Sequence, residues 1–236
     1  MITGISKATT LYLAPVVTLT AIVLSVLVFI APVLVLQDKV ALLTVTPSTE
    51  LVQNASHAVD GPTVFLGTLG ACFRKSNEGP VNCSAPSLNP VYDLSVLPSA
   101  APKLLLAAPN EATPVFLGIS ILFSFIFFIT FTLTSFRQKL GEKMAASLDK
   151  PGFQRVSTLI GVLGFILGIT SFLFLRRLWF GKAQSDFNQS IALQGSSGPQ
   201  LIANMGNAFT MVWVSYAFYG VPVVISLAKL HVKASK

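Results

Sequence analysis

Four long apolar runs, separated by segments of differing polarity, dominate the pattern of this chain. Residues 11–36 form an almost unbroken apolar stretch without a charge. Residues 115–136 are dense in Phe and Ile, and residues 156–175 and 208–227 are again uncharged and apolar. A helix of roughly 20 apolar residues matches the hydrocarbon thickness of a bilayer, so each run predicts a membrane-spanning helix. The first run exceeds the apolar region of a cleaved signal peptide, roughly 7–15 residues, and reads as an uncleaved span. Pro15 and Pro32 lie near its two ends, where a missing N–H or a local bend costs least. Pro222 falls inside the fourth run and predicts a kink there.

The intervening segments differ from one another. Residues 37–114 hold both cysteines and most of the prolines. Within them, residues 39–46, 63–66 and 71–74 are rich in β-branched and apolar side chains and predict three strands. Gly67 and Gly70, between the second and third, predict a bend or a close backbone approach. Residues 75–80 predict a turn that returns the chain toward Cys83, and residues 103–108 a short helix at the membrane interface. Residues 137–155 form a short hydrophilic link, and residues 176–207 a second polar loop.

Composition agrees with a membrane chain: 53% of residues are hydrophobic and 11% charged, with mean hydropathy +0.72. A soluble domain carries about 25% charged residues. The formal net charge of +7 reads as cytoplasmic-loop bias, not as a nucleic-acid surface, because no basic run is interleaved with aromatics. Lys7, the link residues Arg137, Lys139, Lys143, Lys150 and Arg155, and the tail residues Lys229, Lys233 and Lys236 place both termini in the cytoplasm. Arg176 and Arg177 resist this pattern by closing the third span on the outer side. Snorkelling to headgroups beside the interfacial anchor Trp179 accounts for them; an acidic partner is the alternative. Acceptor sequons for N-glycosylation occur at Asn54, Asn82 and Asn188, all in the outward loops of this topology.

Little in the chain carries catalytic chemistry. His57 and His231 stand without Cys, Asp or Glu at ligand spacing, and no phosphate loop, nucleophile elbow or paired carboxylates occur. No cofactor, metal or catalytic residue is expected. None of the four runs contains Asp, Glu, Lys, Arg or His, so an ion pathway through this chain alone lacks the groups that stabilise charge in hydrocarbon. In the third run Gly161, Gly164 and Gly168 share one side and permit close helix approach. They serve packing within the bundle or a surface for a partner subunit or second copy. Cys72 and Cys83 are a disulfide if the loop faces an oxidising compartment, and two free thiols otherwise. A disulfide of this spacing would contribute roughly 3 kcal/mol.

Gly67-x-x-Gly70-x-Cys72, then Cys83-Ser84, then Tyr92, placed after one span and before three more, resembles the fungal PalI and cortical-patch family, distant relatives of the claudins. Leu69 stands where claudin-like proteins carry a Trp. The resemblance implies an all-α, four-transmembrane-helix bundle, left-handed, with a small extracellular antiparallel sheet pinned by Cys72–Cys83. It also implies residence in the plasma membrane at the cell cortex, and roles in membrane-domain organisation, wall integrity or ambient-pH signalling. The long cytoplasmic tail of signalling members is absent from this sequence.

The expected function is therefore non-catalytic: an accessory or structural subunit that associates laterally with another integral membrane protein or with itself. The alternative is a lipid- or sterol-interacting organiser of membrane domains, motivated by the aromatic spans and the Arg176–Arg177–Trp179 edge. Membrane lipids are expected partners and nucleic acid is not.

Overall fold

The computed structural model describes residues 12–51, 59–103 and 112–234. The elements are α1 (Ala14–Ile30), β1 (Leu43–Pro47), β2 (Thr63–Leu66), β3 (Ala71–Arg74), β4 (Asn82–Cys83), α2 (Ala112–Ser135), α3 (Glu142–Leu148), α4 (Pro151–Phe174), a π-helical segment (Leu175–Phe180), α5 (Gly181–Gln194), β5 (Leu201–Met205) and α6 (Ala208–Ala234). The chain divides into two compact units. One takes residues up to Val26, Phe116–Thr170 and from Val212 onward. The other takes Leu27–Val115 and Ser171–Met211.

The first unit is helical. Among the described residues, three helices are long and apolar enough to cross a membrane: Ala112–Ser135, the continuous helix Pro151–Gln194, and Ala208–Leu230. Their outward side chains are apolar, as Leu122, Phe125 and Ile129 on α2, Leu159, Leu163 and Ile166 on α4, and Val214, Val221 and Val224 on α6 illustrate. Their inward side chains include hydroxyls: Ser120, Ser124, Thr158 and Ser215 are buried alongside Phe127, Tyr216 and Tyr219. This inversion suits hydrocarbon as the solvent, where the bundle interior is the place for polar groups.

The first apolar run gives a helix shorter than expected. α1 has 17 residues, about 25 Å at 1.5 Å per residue. Beyond Ile30 the chain continues in turns, with Leu34 N donating to Ile30 O and Val40 N to Leu36 O, both at 3.1 Å, around a cis Ala31–Pro32 bond.

The second unit is built on a five-stranded antiparallel sheet of order β4-β3-β2-β1-β5. Leu43 and Val45 on β1 and Leu201 and Ala203 on β5 are buried and alternate with more exposed residues, as expected of strands with one face on a core, whereas all four residues of the central strand β2 are buried. The sequence reading of β2 and β3 matches the observed bounds. β1 starts later than expected, because turns occupy Leu36 to Val40.

Residues 176–207 are not a polar loop. The helix passes Arg176 and Arg177 without stopping, widens into the π segment, and runs on as α5, making 44 continuous residues from Pro151. At about 66 Å, it is longer than a bilayer with its headgroups is thick, about 40–45 Å. Gly181 permits the π turn: its N–H bonds Arg176 O, and a side chain there would place Cβ 2.6 Å from that oxygen. α5 then buries Phe187 and Ile191, an i, i+4 pair on one face. The chain returns as β5, which joins β1 in a five-residue register from Leu43↔Met205 to Pro47↔Leu201. Helix α6 runs through Pro222. Of the short helix expected over residues 103–108, all but Lys103 lies outside the described residues.

Candidate functional site

The residues of the loop motif come together at one end of the sheet. Cys72 and Cys83 stand directly opposite in the β3–β4 register and are joined by a disulfide across a sequence separation of 11. Cys72 is fully buried, and the bridge packs with Ala41, Phe65 and Val81. The short strand β4 has little hydrogen bonding of its own, so the covalent link fixes its position.

Each remaining motif residue supports that staple. Gly67 N donates to Gly70 O at 2.9 Å, closing the β2–β3 turn. Both glycines are needed for space. A Cβ on Gly67 would collide with Ala31 O and the Pro32 ring, and one on Gly70 would meet Ser84 Oγ and come within 3.0 Å of Val33. Ser84 pairs with Ala71 twice: its Oγ accepts from Ala71 N at 3.1 Å, and its own N donates to Ala71 O at 2.9 Å. Tyr92 is 1% exposed and donates its hydroxyl to Gly67 O at 2.8 Å. Burial pushes the Tyr92 phenol well above its ordinary pKa, because the phenolate would be charged in an apolar site. Leu69 is also buried.

These interactions hold a shape and offer no reactive pair. Arg74 stacks over the Phe65 ring with its guanidinium carbon 5.7 Å from the centroid, a cation–π contact. Asp38 is held below the usual carboxylate range by its hydrogen bond to Lys39, and Asp93 by the Ser95 backbone N–H. Among the described residues no three His, Cys, Asp or Glu side chains form a group that could hold a metal ion. His57 lies outside the described residues, and His231 is on α6.

The helical unit accounts for the glycine face of α4. A Cβ on Gly161 would lie 2.6 Å from the Phe127 ring, and one on Gly164 would lie 3.1 Å from Phe123 Cβ and 3.2 Å from Tyr219 Oη. One on Gly168 would collide with Tyr216 and Ser120. The face is thus filled by α2 and α6 of the same chain, which leaves no room there for a second copy. Hydroxyls cross-link the helices at the same level. Ser120 donates to Gly164 O at 2.8 Å and lies 3.2 Å from Tyr216 Oη, while Tyr219 donates to Gly161 O at 3.2 Å. Toward α1, Ser215 donates to Ala21 O and pairs with Ser25, each at 2.7 Å.

Arg176 and Arg177 are exposed on the π segment, with Trp179 half-buried beside them and Phe180 buried. Of the three sequon residues, Asn82 is exposed on β4 and Asn54 lies outside the described residues. Asn188 is committed to the fold: its Nδ2 donates to Ala203 O at 2.9 Å, and its Oδ1 accepts from Ala203 N at 2.8 Å. The nitrogen that would carry a glycan is therefore already a donor to β5. Polarity alone hid this clasp in the sequence. The signals available were the Phe187/Ile191 spacing and the Leu201, Ala203, Met205 alternation ahead of Gly206.

No family model, curated protein or solved structure matches this chain.

Proposed function

We propose that this chain is a non-catalytic, four-span plasma-membrane protein of the PalI or claudin-like kind. In this reading it acts as an accessory or structural subunit through lateral association with another membrane protein or with itself. The observation that carries the reading is the contrast between an apolar helix exterior and an interior where Ser25, Ser120, Ser215 and Tyr219 bond one another or backbone carbonyls. Within the sheet unit, the motif residues likewise build a stapled turn, not a reactive centre.

The fourth span is α1. Its exposed side chains Val16, Leu19 and Val23 are apolar, it is bonded to α6 through Ser25 and Ser215, and uncharged sequence continues to Leu36. Four spans put both termini on one side, and the basic residues of the link and tail make that side the cytoplasm. The sheet then faces the oxidising side, where a disulfide persists. Glycans, where added, go to Asn82 or Asn54.

The test is native mass measurement of the chain in lipid discs formed directly from its own membranes. Oligomers or a stoichiometric membrane partner are expected; a uniform monomer would overturn the accessory role. Tags on the two termini should be reached by antibody only after permeabilisation. A second reading, a lipid- or sterol-interacting organiser, draws on the exposed Arg176 and Arg177 beside Trp179. Lipid enrichment around the purified chain separates it from the first.

A further inference from the structure

Between α2 and α4 the chain makes a short, well-braced turn. Arg137 forms an ion pair with Asp149, joining its two ends. Gly141 takes φ +84° immediately before α3, a backbone conformation suited to glycine. Lys150 N donates to Ser147 O at 3.3 Å, and Gln154 Nε2 donates to Leu148 O at 3.3 Å. Leu148 is buried, whereas Met144, one turn earlier on the same helix face, is 51% exposed. Lys139, Lys143, Lys150 and Arg155 are all exposed around this apolar tip. Of the two acids in the segment, Asp149 is engaged by Arg137, leaving Glu142. Arg155 directly precedes Val156, the first of the exposed apolar residues of α4.

We propose that this turn docks on an anionic leaflet, with Met144 entering the acyl boundary while Lys139, Lys143 and Lys150 meet acidic headgroups. The proposal rests on the reading that α2 and α4 cross a bilayer. Three arguments select a lipid surface as occupant. The turn starts and ends within a few residues of two helices of hydrocarbon length, so a membrane surface is already adjacent. Its charge is complementary to acidic lipid, each Lys near such a surface contributing about fivefold in affinity. Its exposed tip is a flexible apolar side chain in line with a buried leucine, the arrangement of an interfacial helix with one wet and one greasy face. The bracing matters as well: the backbone that carries the tip and its lysines is set before any lipid arrives, so little backbone ordering entropy is spent on contact.

The experiment uses the full chain in nanodiscs of phosphatidylcholine alone or with phosphatidylserine, and follows peroxide oxidation of Met144 by peptide mass spectrometry. Oxidation should be at least about fivefold slower in the anionic discs, and the difference should shrink at high salt. The triple variant Lys139→Gln, Lys143→Gln, Lys150→Gln should oxidise at one rate in both discs. Equal rates for the native chain would overturn the proposal, as would protection that survives high salt. The native-chain salt series decides the matter even if the triple variant inserts poorly. A chain that carbonate washing strips from membranes would instead overturn the spanning reading beneath it.

Discussion

The helical unit and the sheet unit solve the same problem, holding chain segments in one arrangement, with different chemistry. Around the sheet, apolar side chains enter a core, one covalent bridge fixes the shortest strand, and a buried tyrosine secures a tight turn. In the bundle, apolar side chains face outward, and specificity comes from absent side chains on α4 and from paired hydroxyls. In the proposed reading, with the bundle in the bilayer and the sheet in water, the difference follows from the surroundings. Water rewards hiding apolar surface, so a sheet can be held by burial with a staple added. Hydrocarbon gives no such reward, so helices rely on close contact and on polar groups that find one another.

Removing the staple should break the comparison most strongly. Cys72→Ser with Cys83→Ser should lower the stability of the sheet unit by about 3 kcal/mol. Limited proteolysis should then cut residues 75–83, while the helical circular dichroism signal stays at its native value. Loss of helicity in the same step would mean that the helices depend on the staple.

Tyr92→Phe comes next. It leaves Gly67 O without its partner, at a cost of about 1–3 kcal/mol for an unpaired buried group. The pH dependence gives the sign. Burial raises the folded-state pKa of this phenol, so the unfolded chain loses its proton first. Tyr92's contribution is then complete below about pH 10 and declines as pH rises beyond it. Thermal melts of the native chain and Tyr92→Phe should converge as pH increases above that value. A gap that stays constant to high pH would rule out titration of Tyr92 as its source.

The smallest effect should come from Ser215→Ala, which removes the hydroxyl shared with Ser25 and Ala21. Interhelical hydrogen bonds in bilayers average about 0.6 kcal/mol. A shift in unfolding free energy near that value, measured in detergent micelles, would sharpen the contrast with Tyr92→Phe. A loss as large as the tyrosine's would erase it.

Sequence pattern foretold some parts of this structure and missed others, for physical reasons. The apolar runs were legible because hydrocarbon tolerates few exceptions, and β2 and β3 because Thr63-Val-Phe-Leu66 and Ala71-Cys-Phe-Arg74 sit between clear turn residues. The motif was legible as residue types at a spacing, but the hydrogen bonds that gather Gly67, Gly70, Ser84 and Tyr92 around one turn were not. α5 was not, because a helix against a sheet needs only a narrow apolar stripe, here Phe187 and Ile191, on an otherwise polar segment. β5 was missed because its partner, β1, lies far away in sequence. Arg176 and Arg177 read as a helix end because charge usually marks one, but a helix that leaves the hydrocarbon can keep its hydrogen bonds and continue. The end of α1 was misjudged in the opposite direction: apolar composition persists to Leu36, whereas the regular helix stops at Ile30.

The clasp of Asn188 on Ala203 has a consequence for crowding. A bare outer strand is a template on which another chain can add, and membranes concentrate copies in two dimensions. On β5 the outward N–H and C=O of Ala203 are both taken by one carboxamide, which imitates a neighbouring strand without offering a new edge. The opposite rim ends in β4, only two residues long and too short to recruit. The sheet is thereby finite at both sides, and neighbouring copies can be dense without growing into one another.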